Sequence, residues 1–131
     1  MTTTRAIPHL FGVWMLSTSL VACEPAREQP PSRQVPGGNE TQGRHALARY
    51  GCGSCHVIPG VAGAVGLAAA PLDHFAERGF VGGILPNNPD NLVLWIVDPQ
   101  AVNERTAMPN LGVTERDARD MAAYLYTLRA D

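Results

Sequence analysis

Two cysteines three positions apart, followed at once by a histidine, constrain this chain more tightly than any other stretch: Cys52-Gly53-Ser54-Cys55-His56. That spacing is the one used for c-type haem attachment. One turn of backbone presents both thiols to the two vinyl groups on one edge of a porphyrin, where each can add to form a thioether. His56 then lies under the ring with one imidazole nitrogen free to bind iron. A zinc site, a redox dithiol and a structural disulfide are the alternatives for such a pair, and each fits less well. Zinc requires four ligands, and no second cysteine pair or HxxxH partner is present. A thioredoxin-like dithiol belongs at a strand-to-helix turn, whereas a helical pattern runs directly into Cys52.

The residues around the motif resemble those of the class I cytochromes c over Gly43 to Arg129. The resemblance is carried by Gly43-x3-Leu47-x4-Cys52-Gly53-Ser54-Cys55-His56, Pro71-Leu72, Trp95-Ile96-x2-Pro99, Thr106-x-Met108-Pro109 and Ala123-Tyr124-Leu125. Within the bacterial members, Gly51-Cys52-Gly53-Ser54-Cys55-His56-x-Ile58-Pro59-Gly60 and Leu85-Pro86-Asn87 are most similar to single-haem cytochromes associated with haem-copper oxidases. The resemblance implies an all-α fold, a small cytochrome c domain of three to four helices around one covalent haem c.

The length, 131 residues, suits one domain with appendages. The third cysteine, Cys23, ends an apolar run from Leu10 to Ala22 that follows Arg5. The run is too short to span a bilayer comfortably and suits a signal-peptide core. Leu20-Val21-Ala22-Cys23 looks like a bacterial lipoprotein box, with cleavage before Cys23 and lipidation of its thiol. An ordinary secretory signal that leaves a free or packed thiol is the alternative. Residues 24–40 follow with Pro25, Pro30, Pro31, Pro36 and Gly37-Gly38, and only Val35 as a large apolar group. Such a stretch is expected to act as a disordered or extended tether, because it cannot bury enough surface to offset its ordering entropy. The expected organisation is therefore a lipoprotein signal over 1–22, a lipidated Cys and tether over 23–40, and a cytochrome c domain over 41–131. The expected location is the periplasmic side of a bacterial membrane.

Charge excludes one class of partner. Beyond residue 22 the chain carries nine Arg, no Lys and twelve Asp plus Glu, hence 9 − 12 = −3 with His neutral. That balance argues against a nucleic-acid surface or an electrostatic grip on acidic membranes, so membrane association would come from the lipid.

A domain of this size is near the limit for an apolar core alone, and haem would supply an apolar plate for helices to pack on. The first helix is predicted over Thr41 to Tyr50, with Ala46, Leu47 and Tyr50 facing inward and Gly51 as the stop. Gly43 is either a weak helix residue or a crossing point, and the resemblance favours a crossing with the last helix. Val57 to Ala70 reads as a loop beneath the haem that can offer a backbone carbonyl to the imidazole N–H of His56 facing away from iron; the resemblance, in which family members often carry Gly-Pro where this chain has Ala69-Ala70, implies Ala70 as the residue that supplies it. Leu72 to Arg78 reads as a short helix closed by Gly79, and the resemblance implies an Arg78 contact with a haem propionate; a solvated surface Arg is the alternative. Asn88-Pro89 starts a helix that Pro99 stops. Leu92, Trp95 and Ile96 share its inner face, and the resemblance puts Trp95 against the haem. The last helix begins at Thr114, with Ala118, Met121, Ala122, Leu125 and Leu128 as its apolar stripe; Tyr124 and Leu125 match positions that cross the first helix.

A second axial ligand must be Met, His or Lys, and Lys is absent. Met1 and Met15 fall in the signal, and Met121 lies on the stripe of the last helix. Met108 lies in an irregular stretch between Pro99 and Thr114 and matches the Met-Pro motif of the family, with Thr106 two residues before it and in reach of a propionate. His45 and His74 are weaker rivals on predicted helices. Where the family usually has Pro-Gly before the ligand, this chain has Glu104-Arg105. Ligation by His56 and Met108 would saturate iron and favour its reduced form. The expected activity is then one-electron transfer between a respiratory donor and a terminal oxidase, with no small-molecule substrate and no catalytic residue. An enzyme or small-ligand sensor with an open sixth site, and a haem subunit fixed within a larger respiratory complex, are the alternatives.

Overall fold

In the computed structural model, which describes Met1 and residues 33–130, the first helix among the described residues begins at Glu40. Helix α1 (Glu40–Arg49) starts there because the Asn39 side chain accepts the Gln42 amide at 2.9 Å, satisfying one of the free N–H groups of the first turn. It closes at Tyr50-Gly51, whose amides donate back to the carbonyls of Ala46 and Ala48. Gly43, Ala46 and Leu47 form its buried face.

Helix α4 (Glu115–Leu125) packs across that face. Thr114 caps it by accepting the Asp117 amide at 3.1 Å, and Ala118, Met121, Ala122 and Leu125 are buried. Gly43 is the crossing point: a Cβ there would stand 1.9 Å from the Asp120 carbonyl oxygen, so only a residue without a side chain lets the backbones approach. Two carboxylates tie the same pair. Asp120, itself buried, accepts the Asn39 amide at 2.7 Å. Asp117 accepts from the Tyr50 hydroxyl at 2.8 Å, from Arg49 at 2.8 Å and from the Thr114 hydroxyl at 3.0 Å. Its carboxyl is held below the usual carboxylate range, by the Tyr50 hydroxyl above all. The Tyr124 hydroxyl donates to the Pro59 carbonyl at 2.7 Å, which ties α4 to the 57–70 segment.

Helix α2 (Pro89–Val97) completes the main layer, capped by Asn88, whose side chain accepts the Asn91 amide at 3.0 Å. Leu92, Val93 and Ile96 are buried and Trp95 half-buried. Pro99 stops α2 but also begins another helix, α3 (Pro99–Val102), with the Asp98 carboxylate accepting the Ala101 amide at 3.2 Å. A proline carries no N–H to lose at the first helical position, so one residue both ends and restarts the helix.

Two stretches depart from the sequence-based expectation. The short helix expected over Leu72 to Arg78 is reduced to one 3₁₀ turn at Phe75–Glu77, because His74 stands at φ 48°, a left-handed geometry that α-helix cannot propagate through. After it an antiparallel hairpin pairs β1 (Phe80–Val81) with β2 (Leu85–Pro86), Phe80 opposite Pro86 and Val81 opposite Leu85. The helices thus carry a small sheet that an all-α reading omits. Two-residue strands are too short to show a period. Their turn rests on Gly82 at φ 57°, where a side chain would also meet the Trp95 ring. The segment 57–70 is irregular as expected, apart from an isolated bridge between Val57 and Val65, and it contributes buried Ile58, Val61 and Ala64.

Part of the stretch expected to act as a tether lies against the domain. Arg33 donates to the Arg78 carbonyl at 3.1 Å and sits over the Tyr126 ring, and half-buried Val35 packs on the core. Cys23 and the rest of the expected signal and tether up to residue 32 lie outside the described residues. No helix among the described residues is long and apolar enough to cross a membrane.

Candidate functional site

The Cys52-x-x-Cys55-His56 stretch leaves α1 through Gly51 and bends in a 3₁₀ turn, Cys52–Ser54. The Ser54 amide donates to Gly51 and the His56 amide to Cys52, at 3.0 and 3.1 Å. These bonds place both thiols and the imidazole on one side of the turn's end, facing a cavity of about 640 Å³. Cys52 and Cys55 are free thiols, both half-buried. Burial pushes the Cys52 thiol up, which is opposite to the depressed pKa that activates a redox dithiol. Among the described residues no cluster of three or more His, Cys, Asp or Glu could hold a metal ion, so the zinc alternative finds no ligand set there.

His56 Nδ1 lies 2.7 Å from the Ala70 carbonyl oxygen, the carbonyl singled out from the sequence. A carbonyl only accepts, so Nδ1 is the donor, and in the neutral ring Nε2 keeps a free lone pair. The 57–70 segment delivers that carbonyl because its own amides are pinned to the motif: Gly66 donates to Gly53, and Ala69 to Cys55, each at 3.0 Å.

Met108 lines the same cavity, as do Trp95 and Thr106. The Thr106 hydroxyl accepts the Met108 amide at 3.2 Å. Met121 also reaches the cavity wall but is fully buried in the core among the residues of α4. His45 and His74 are exposed, and neither lines the cavity. Arg78 is at the wall, half-buried over the Phe75 ring; its guanidinium donates to the Pro71 and Asp73 carbonyls. It is not a freely solvated Arg, and both of these bonds leave from Nη2.

No family model matches the chain. It is 37% identical over 90 residues to a cytochrome c oxidase subunit 2 of Alkalihalophilus pseudofirmus. The match takes in 67% of this chain and 25% of that protein, so the chain spans about a quarter of the relative's length.

Sequence reasoning missed two features of the site. Gln100 on α3 donates from its side-chain amide to the Met108 carbonyl at 2.7 Å; its signal was only a polar residue just inside a proline-started turn. Asn87 and Tyr126 form a buried pair behind Phe75 and Arg78. The Tyr126 hydroxyl donates to Asn87 Oδ1 at 2.8 Å, and Asn87 Nδ2 donates to the carbonyls of Phe75 and Arg78. No spacing rule links residues 39 positions apart.

Proposed function

We propose that this chain is a single-haem cytochrome c that passes one electron at a time toward a terminal oxidase. The observation that carries the reading is the convergence of two half-buried thiols, an imidazole with its lone pair free, and one loop thioether on a single largely apolar cavity. About 640 Å³ falls within the roughly 300–1,000 Å³ of cofactor pockets. Cys52 and Cys55 would hold haem c covalently, and His56 and Met108 would bind its iron. Haem, when bound, supplies a reversible one-electron iron couple.

The chain's own residues do the rest. The Ala70 carbonyl holds His56 in one tautomer and raises its basicity. Leu47, Phe75, Ile96 and Leu125 line the cavity with apolar surface. Trp95, backed on Gly82, packs a ring into the wall. Arg78 stiffens the 71–78 segment through its carbonyl bonds, and the Thr106 hydroxyl holds the Met108 amide. The similarity to an oxidase subunit supports a respiratory role with a terminal oxidase as acceptor. A haem module fixed within such an oxidase is a second reading, favoured by the match to only a quarter of a longer subunit; co-purification with oxidase subunits separates it from a free carrier.

The test is spectroscopic. Oxidised protein matured with haem should show the weak near-infrared sulfur-to-iron band; Met108→Ala should abolish it and Met121→Ala should retain it. Rapid carbon monoxide binding to reduced wild-type protein would overturn the carrier reading in favour of an open-site enzyme or sensor.

A further inference from the structure

Met108 lies on a stretch with no regular structure between α3 and α4. Its backbone is nevertheless held at both polar groups. The amide donates to Thr106 Oγ1 at 3.2 Å, and the carbonyl accepts from Gln100 Nε2 at 2.7 Å. The first bond is local and moves with the loop. The second reaches back eight residues to α3, so it alone of the two ties Met108 to a helix.

That helix is a firm stem. Asp98 caps it, the Asn103 amide closes it on the Pro99 carbonyl at 2.9 Å, and Pro99 is buried. Asn103 also orders the turn beyond, its side chain accepting the Arg105 amide at 3.1 Å and its carbonyl the Thr106 amide at 3.0 Å. Gln100 Oε1 is buried with no partner among the described residues. A buried acceptor left unpaired is costly, and flipping the amide would press Oε1 against the Met108 carbonyl oxygen. The orientation is therefore dictated by the bond to Met108.

Resting on the reading of Met108 as an iron ligand, we propose that Gln100 is the positioning residue that holds Met108 over the cavity, its side-chain amide clamping the loop to α3. Loss of the clamp leaves the fold intact and lets the Met108 loop open more often.

The experiment uses haem-loaded protein and three readouts: the near-infrared sulfur-to-iron band, the rate of cyanide capture by the oxidised protein at saturating cyanide, and the urea midpoint. Gln100→Leu removes the donor. Gln100→Asn keeps an amide but is one methylene too short, and serves if the first variant fails to accumulate. Both should capture cyanide roughly five- to tenfold faster than wild type, beyond what their change in urea midpoint accounts for. Capture rates unchanged in variants that keep a wild-type band would overturn the role of Gln100 while leaving Met108 ligation standing. Faster capture matched by an equal loss of global stability would reduce Gln100 to ordinary packing. Absence of the band in wild-type protein would remove Met108 as ligand, and this inference with it.

Discussion

Tyr126 shows how one side chain ties the fold to the cavity wall. Its hydroxyl donates to Asn87, and Asn87 holds the Phe75 and Arg78 carbonyls, so a phenol on the last turn of the chain orders the segment that carries Arg78. Burial pushes its pKa up to about 12, against a smaller opposing pull from Arg33. An unfolded tyrosine ionises near ~10. A pKa raised in the fold means that the contribution of Tyr126 is complete below about pH 10 and is lost as pH rises toward 12. Alkaline titration followed by ultraviolet absorbance should therefore show one late phenol, absent in Tyr126→Phe, and the variant should lose less stability between these limits. A Tyr126→Phe spectrum that still contains the late step would assign it to another tyrosine.

Among the elements, the α1–α4 crossing sets the frame on which the motif hangs, since Cys52 begins two residues after α1 closes. Gly43→Ala places a methyl against the Asp120 backbone, which neither helix can yield without opening the pair. The expected cost is about 1–3 kcal/mol, read as a lowered urea midpoint with unchanged slope. A change below about 0.5 kcal/mol, the scale of ordinary surface substitutions, would show that the crossing is looser than the structure has it. The α2–α3 break acts at the same scale. Pro99 turns the chain so that α3 points Gln100 at Met108, whereas an unbroken helix would carry that residue elsewhere.

For the whole molecule, net charge and anchoring determine how partners are found. With no Lys and nine Arg against twelve carboxylates beyond residue 22, the chain lacks the dense cationic ring that steers a carrier over distance. Lipid attachment at Cys23 would replace steering by confinement near membrane partners. Electron delivery to an oxidase in the same membrane should then depend weakly on ionic strength and fall sharply in Cys23→Ser. Mass spectrometry of the mature N-terminus should find a diacylglyceryl-modified Cys23. A rate that drops steeply with salt and ignores Cys23→Ser would point to a soluble, electrostatically guided carrier. The domain end of the expected tether is seated beside the site, because Arg33 bonds the carbonyl of Arg78 at the cavity wall.

The sequence by itself determined the features whose causes are local. Asn88 and Thr114 cap helices where the sequence starts them, because a cap is a bond across three positions. The motif that supplies Cys52, Cys55 and His56 was legible for the same reason, whereas Ala70 as the partner of His56 followed from the resemblance. Gly43 as a crossing and Met108 as a loop residue followed from pattern and resemblance. What only the tertiary structure decided were the pairings between distant positions: Tyr126 with Asn87, Tyr124 with Pro59, Gln100 with Met108, and the hairpin packed on Trp95. None of these carries a period or a spacing rule. The Tyr126–Asn87 pair exists because a buried polar group must find whichever partner the packed chain brings within about 3 Å, and all four pairings are made only when the helices have met.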